Sequence, residues 1–428
     1  MIFYKKAGWG MALLFLCLIF GTGRTQKIEA AVQNVPESLE EESRLDTVGT
    51  DQETERAAVR EKKGQQEKEA GDTETDQAAA AQDELLAELD FDAIQQEVDS
   101  LLSSQQFSFA GTVRSLLQDG DPFRTFRAGN AVLSCAKTAF LAQKGLMKEL
   151  FLLVLAGAVL GSFSSLFEGK QVRDASFYMV YLLALALILK NFQSSGENLK
   201  AVITSLVAFM RILTPSYYLA AAAAGGASSA VMFYQMLLLV ILAVEKLLLA
   251  LVLPMIHIYL LIALVNDLSG EEILSHMTEL LETCVNGLLK SSLGVLVGMQ
   301  MIRNLIAPAL DSLRQMALWR TAGMIPGIGN AVNAVTELVA GSAVLIRNCF
   351  GVTAMLVLLA AGMVPAVQLL VSGLSFRLLA AAAQPVSDKR IAGCLAAAGK
   401  GYAMLLRLLL TVEILFLLTI AILAGTFS

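Results

Sequence analysis

Charge is what this chain has least of. Only 16% of its 428 residues are Asp, Glu, Lys or Arg, against about 25% in ordinary soluble domains. Histidine is nearly missing, with only His257 and His276 present. His276 lies with Glu279 on a polar helical stretch, and a metal site there would lack further ligands. The five cysteines, Cys17, Cys135, Cys284, Cys349 and Cys394, form no Cys-x-x-Cys pair. Neither a zinc site nor a redox motif is signalled, and they read as unpaired apolar thiols. No Walker A loop, Gly-x-Gly-x-x-Gly, His-Glu-x-x-His or Gly-x-Ser-x-Gly occurs. These absences leave no catalytic constellation, no cofactor site and no metal site to argue for. A nucleic-acid binder is excluded too, because no basic stripe on a folded face is available.

What is present is apolar surface, at 56% of residues with a mean hydropathy of +0.62. It is unevenly spread. Residues 31–100 carry 21 acidic against 6 basic side chains, while the body beyond them is faintly basic. At the start, Lys5 and Lys6 precede a short apolar run, followed by Gly21, Thr22 and Gly23. That is the layout of a cleaved signal peptide over 1–30, with an uncleaved anchor as the alternative. Residues 31–82 lack aromatics and hold Glu, Gln, Asp, Thr and Ala. They cannot bury enough apolar surface to offset ordering entropy, so a disordered acidic exported segment is expected.

From 83 the pattern changes. Leu85, Leu89, Phe91, Ile94, Val98, Leu101 and Leu102 recur at spacings of three and four, which marks an amphipathic helix. A second helical pattern runs over 107–117, and a basic stretch follows over 124–148. Residues 83–146 are thus expected to form an amphipathic helical region outside the cytoplasm, and 147–425 a polytopic membrane domain. The fold class is all-α. Eight spans are expected, at 150–167, 176–192, 199–224, 230–244, 247–265, 288–306, 348–371 and 402–424. Helices rather than strands are required, since each segment must satisfy its own backbone in lipid. The split between the fourth and fifth rests on a turn expected at Glu245-Lys246. Gly157-x-x-x-Gly161 and Gly294-x-x-x-Gly298 permit close helix packing within a bundle or a homo-oligomer.

Ionisable groups inside apolar spans are costly and point to function. Arg211 stands near Pro215, and Glu413 sits within a run of Leu and Ile. His257, three residues after Pro254, reads as a packed imidazole. The stretch 321–348 is too polar for a lipid-facing span and too apolar for a loop. It suits either a re-entrant, lumen-lining helix or a surface amphipathic one. Its notable residues are Pro326, Gly329, Asn333, Glu337, Arg347 and Asn348, with Gly351 just beyond.

The second half then resembles a known family. The carrying pattern is Ile325-Pro326-x-x-Gly329, Arg347-Asn348-x-x-Gly351, Pro365-Ala366, Arg377-Leu378 and Gln384-Pro385, in that order. On these residues the chain resembles the stage III sporulation protein AE family of endospore-forming bacteria. Glu337 matches the second of two acidic positions in the family, whereas Ala334 stands at the first. The resemblance implies a protein made in the mother cell and placed in the cell membrane around the forespore. It implies a permease-like member of a channel or secretion apparatus joining the two cells. The partners it implies are other stage III A proteins, including a cytoplasmic ATPase, and through them a forespore-side partner. A stand-alone secondary transporter and a pure membrane scaffold are the rival readings.

Overall fold

Long runs of Leu, Ala, Val and Ile with few prolines favour unbroken helix, and the chain uses them that way. A computed structural model describes residues 91–102, 107–119, 128–164, 170–223, 228–269, 274–322, 329–385 and 387–425. The chain divides into two units, Met1–Glu69 and Ala70–Ser428, and every described residue lies in the second. The expected signal peptide and acidic tract at 1–30 and 31–82 lie outside the described residues.

The described residues are helical, without strands. In chain order the helices are α1 Phe91–Leu101, α2 Phe109–Asp119, α3 Ala128–Ser164, α4 Lys170–Ala223, α5 Ser228–Leu247, a π-helical turn Leu248–Val252, α6 Leu253–Ser269, α7 Ser275–Ala322, α8 Gly329–Ala383 and α9 Lys389–Gly425. α3 passes residues 146 and 147, where the amphipathic and membrane regions were expected to meet, without a break. Five stretches among the described residues are long and apolar enough to cross a membrane: Phe177–Tyr217, Leu238–Ser269, Ser275–Met299, Ala343–Ala383 and Lys389–Ala421.

The spans expected at 176–192 and 199–224 fall on one helix, α4. The polar stretch between them, Lys190 to Lys200, contains no proline and stays helical. Pro215, near the far end of α4, deprives the Arg211 carbonyl of its usual donor but does not stop the helix. The turn expected at Glu245-Lys246 is corrected by the structure. Both residues are helical, and α5, the π turn and α6 follow one another directly. The cause is Pro254, which lacks an N–H and crowds the carbonyl four residues back. The turn before it is widened, with the Leu253 N–H donating to the Leu248 carbonyl. That single π turn absorbs the extra residue and carries the helix past the proline.

The centre of the bundle is the antiparallel hairpin α8–α9. Gly362 lies against Glu413, Gly373 against Tyr402 and Gly399 against Arg377, a constant register along the hairpin. α4 and α6 flank it. Tyr181 on α4 donates its hydroxyl to the Leu264 carbonyl on α6 at 2.6 Å. Asp267 on α6 lies against Gly393 on α9.

α1 and α2 dock on this bundle. Their apolar faces, Ile94 and Val98 on one and Phe109 and Val113 on the other, are fully buried. Gln95 ties the pair together: its amide donates to the Phe107 carbonyl at 2.7 Å and accepts from the Phe109 N–H at 2.8 Å. Phe109 meets Phe350 of α8 edge-on at 5.0 Å, and Phe91 and Tyr217 complete the aromatic cluster at 6.1 and 6.2 Å from Phe350. Truncating a buried Phe costs about 3–5 kcal/mol. Phe109→Ala is therefore expected to undock α1 and α2. Limited proteolysis of membranes should then cut within 91–119 while 329–425 stays protected. Unchanged resistance over 91–119 would contradict this packing.

Candidate functional site

Among the described residues, two of the Asp, Glu, Lys and Arg side chains are buried: Arg347, 1% exposed, and Glu413, 3% exposed. Both belong to the α8–α9 hairpin. Glu413 is on the buried stripe of α9 because of its spacing. Leu405, Leu409, Val412, Phe416 and Ile420 recur at three and four residues and are all buried. An acid placed on that stripe must point into the bundle.

Gly362 on α8 makes the room. A methyl group added there would coincide with the Glu413 Oε1 atom, so only glycine lets the two helices close around the carboxyl. Oε1 is buried and has no hydrogen-bond partner. An unsatisfied buried polar atom costs about 1–3 kcal/mol. A chain that keeps one inside a membrane helix keeps it at the expense of stability.

Arg347 is fifteen residues from Gly362 along α8, or about 22 Å at the α-helical rise. It is therefore not the partner of Glu413. Its electrostatic neighbour is Tyr217 of α4, beside the aromatic cluster on which α2 docks. Asn348 next to it is exposed, and Gly351 is buried. Arg211 is exposed on α4 and close enough to Glu245 on α5 to act on its charge. Gly329 is the first residue of α8, and Asn333 and Glu337 lie in its early turns. The side chains of Asn333 and Glu337, and the whole of Pro326, lie outside the described residues. The stretch expected as a separate re-entrant or surface helix is thus continuous with the seventh expected span. Arg407, off the face of Glu413, reaches Asn286 on α7 at 3.1 Å instead.

A second polar cluster has no counterpart in the sequence reading. Tyr402 of α9 accepts from the Asn191 amide at 2.8 Å, and the Ser195 hydroxyl lies 3.3 Å from its oxygen. Phe376 stacks on the Tyr402 ring at 5.2 Å, and Phe192 meets it edge-on at the same distance. Phe192 in turn packs against His257, whose Nδ1 pairs with the Leu253 carbonyl at 2.9 Å. A Cβ on Gly196 would stand 2.5 Å from the imidazole, so glycine is needed for that close approach as well. His257 is the packed imidazole expected of it. Asn191 and Ser195 one turn apart in a polar stretch were a readable sign. That Tyr402 would meet them was not, because the pairing spans more than two hundred residues.

Among the described residues no group of His, Cys, Asp and Glu could hold a metal ion. The family model described as Stage III sporulation protein AE matches residues 107–426. Stage III sporulation protein AE of Bacillus subtilis (strain 168) is 22% identical over 291 residues, covering 67% of this chain and 73% of that protein. No solved structure matches the chain.

The Gly362–Glu413 contact has a thermodynamic signature. Gly362→Ala should destabilise the detergent-purified protein by about 1–3 kcal/mol, the usual range for overpacking. Combining it with Glu413→Ala should recover much of that loss, since the clash disappears with the carboxyl. A coupling of at least about 0.5 kcal/mol between contacting residues is expected from unfolding midpoints. Strict additivity would show that the two side chains do not meet.

Proposed function

The chain belongs to the stage III sporulation protein AE family, and from that premise we propose that it is the permease-like membrane subunit of a channel or secretion apparatus joining mother cell and forespore. A role in sporulation follows from the family, and a multi-pass membrane protein from the five apolar stretches. The observation that supports the finer reading is the pair of buried ionisable side chains, Arg347 and Glu413, inside helices long enough to span a membrane. Such groups are expensive in lipid and mark paths for polar or charged species. In this reading the path follows α8 from its start to Gly362 and meets α9 there at Glu413. Pro326, Gly329, Asn333, Glu337, Arg347, Asn348, Gly351 and Glu413 line or pack beside it, and Arg211 sits at its margin.

The subunit would lie in the outer forespore membrane. It would work with other stage III A proteins, including a cytoplasmic ATPase, and through them with a forespore-side partner. No catalytic step is assigned to it, so energy would come from the ATPase. Single cysteines at Asn333, Glu337 and Asn348 should react with water-soluble thiol reagents in intact membranes of sporulating cells. Glu413→Leu should lower spore yield by at least tenfold at unchanged protein level. Complete protection along 325–348, together with normal sporulation of the Glu413→Leu strain, would favour a scaffold without a conduit.

A further inference from the structure

The surroundings of Glu413 suit its acid form and not its anion. The carboxyl stands on Gly362, and its Oε1 atom has no hydrogen-bond partner. Leu409, Val412 and Phe416 of α9 are buried beside it. An ionised carboxylate in an apolar environment is costly unless it is paired, far more so than the neutral acid.

Among the described residues no charged side chain lies close enough to act on this carboxyl. The helices packed against α9 are α4, α6, α7 and α8. On α8, Arg347 and Arg377 each stand fifteen residues from Gly362, about 22 Å away along the helix. On α4, Lys190, Glu197, Lys200 and Arg211 are all exposed. On α7, Glu282 pairs with Lys400 and Lys290 is exposed. On α6, His257 packs on Phe192, and Asp267 lies against Gly393, about 30 Å of helix before Glu413. Arg407 of α9 itself reaches Asn286.

What α8 offers is an acceptor. Pro365 lies inside the helix and has no N–H, so the Ala361 carbonyl loses its usual donor. Ala361 precedes Gly362 in the chain, and both are buried. An acid hydroxyl can donate to such a carbonyl, whereas a carboxylate has only acceptors. A metal cation suits the place poorly. It needs several oxygen ligands, and no group of His, Cys, Asp and Glu among the described residues could supply them. A proton needs none beyond the carboxylate.

We propose that Glu413 is a proton-binding site whose exchange the protein uses. In this packing the carboxylate has taken up a proton to become the acid. It gives that proton to water when α8 and α9 part at Gly362. Buried acids within membrane helices serve as proton carriers in pumps and transporters. The carboxyl is the one invoked for the conduit, but proton binding follows from the packing and stands whether or not the protein conducts.

The test is infrared spectroscopy of the full chain, purified in detergent at neutral pH, with the spectrum of Glu413→Gln subtracted. Glutamine keeps the shape of the side chain and cannot ionise. The difference should show the carbonyl stretch of a protonated carboxylic acid, moving to lower frequency in D2O. Should the Gln variant lose its helical circular dichroism, the double variant Gly362→Ala, Glu413→Ala takes its place as the blank. The paired stretches of a carboxylate would overturn the proposal. So would an acid band that never shifts in D2O, since that proton is not released. Conversion of the band to carboxylate by sodium or potassium chloride would assign the site to a metal cation, with the same consequence. In sporulating cells Glu413→Gln, at unchanged protein level, should lower spore yield at least tenfold. Normal yield from Glu413→Gln beside a defect in Glu413→Leu would show that polarity alone matters and would overturn the use of the proton. An acid band found together with complete thiol protection along 325–348 would remove the conduit and uphold the proton site.

Discussion

The antiparallel register of α8 against α9 is the constraint on which the rest of the bundle depends. It is set by small residues between the two helices, Gly362 and Gly373 on one and Gly399 on the other, while Gly393 and Gly401 of α9 face α6 and α4. Each lets a larger side chain from the opposite or a flanking helix come close. Without a hydrophobic effect between helices in lipid, close packing of this kind supplies most of the association. The register also fixes heights. It puts Glu413 opposite Gly362 and Tyr402 opposite Gly373, about 16 Å apart along α9. α4 and α6 inherit those heights through Asn191–Tyr402 and Asp267–Gly393.

Much of this was legible in the sequence. The helical class followed from composition, and the buried face of α1 from spacing: Ile94, Val98 and Leu102 were read as one stripe and are buried. Glu413 stood out because an acid in a run of Leu and Ile has few explanations. What failed was local charge read as a chain break. The gap expected at 193–198 and the turn expected at Glu245-Lys246 are both helical. Charge does not by itself end a helix, and Glu245 lies close enough to Arg211 to feel its charge. Gly362 carried no sign at all. Its role exists only because Glu413 packs on it from fifty residues away, and no local pattern contains that.

The cluster around Tyr402 explains how such a long bundle stays in register. Leucines alone would allow the helices to slide by a turn at little cost. The Asn191–Tyr402 hydrogen bond and the stack of Phe376, Tyr402, Phe192 and His257 would be lost by such a slip. A hydrogen bond contributes a net of about 0.5–1.5 kcal/mol, and an aromatic pair about as much. The cluster ties together α4, α6, α8 and α9 around the fully buried Tyr402.

Arg347 and Glu413 mean something different. They have opposite charge and sit on the same hairpin, so an ion pair is the first expectation. The register forbids it, because about 22 Å of helix separates them. Neither can offset the desolvation of the other: Arg347 has Tyr217 of α4 as its electrostatic neighbour, whereas the Glu413 Oε1 atom has no hydrogen-bond partner. Two separate polar stations along one hairpin, at different depths, are wasteful for packing. They are reasonable along the wall of a path, where a polar or charged species meets first one and then the other. Arg347 lies beside the aromatic cluster on which α2 docks, and Glu413 lies about 22 Å further along the hairpin. Any such path would therefore run along the α8–α9 hairpin from the docked amphipathic helices inward.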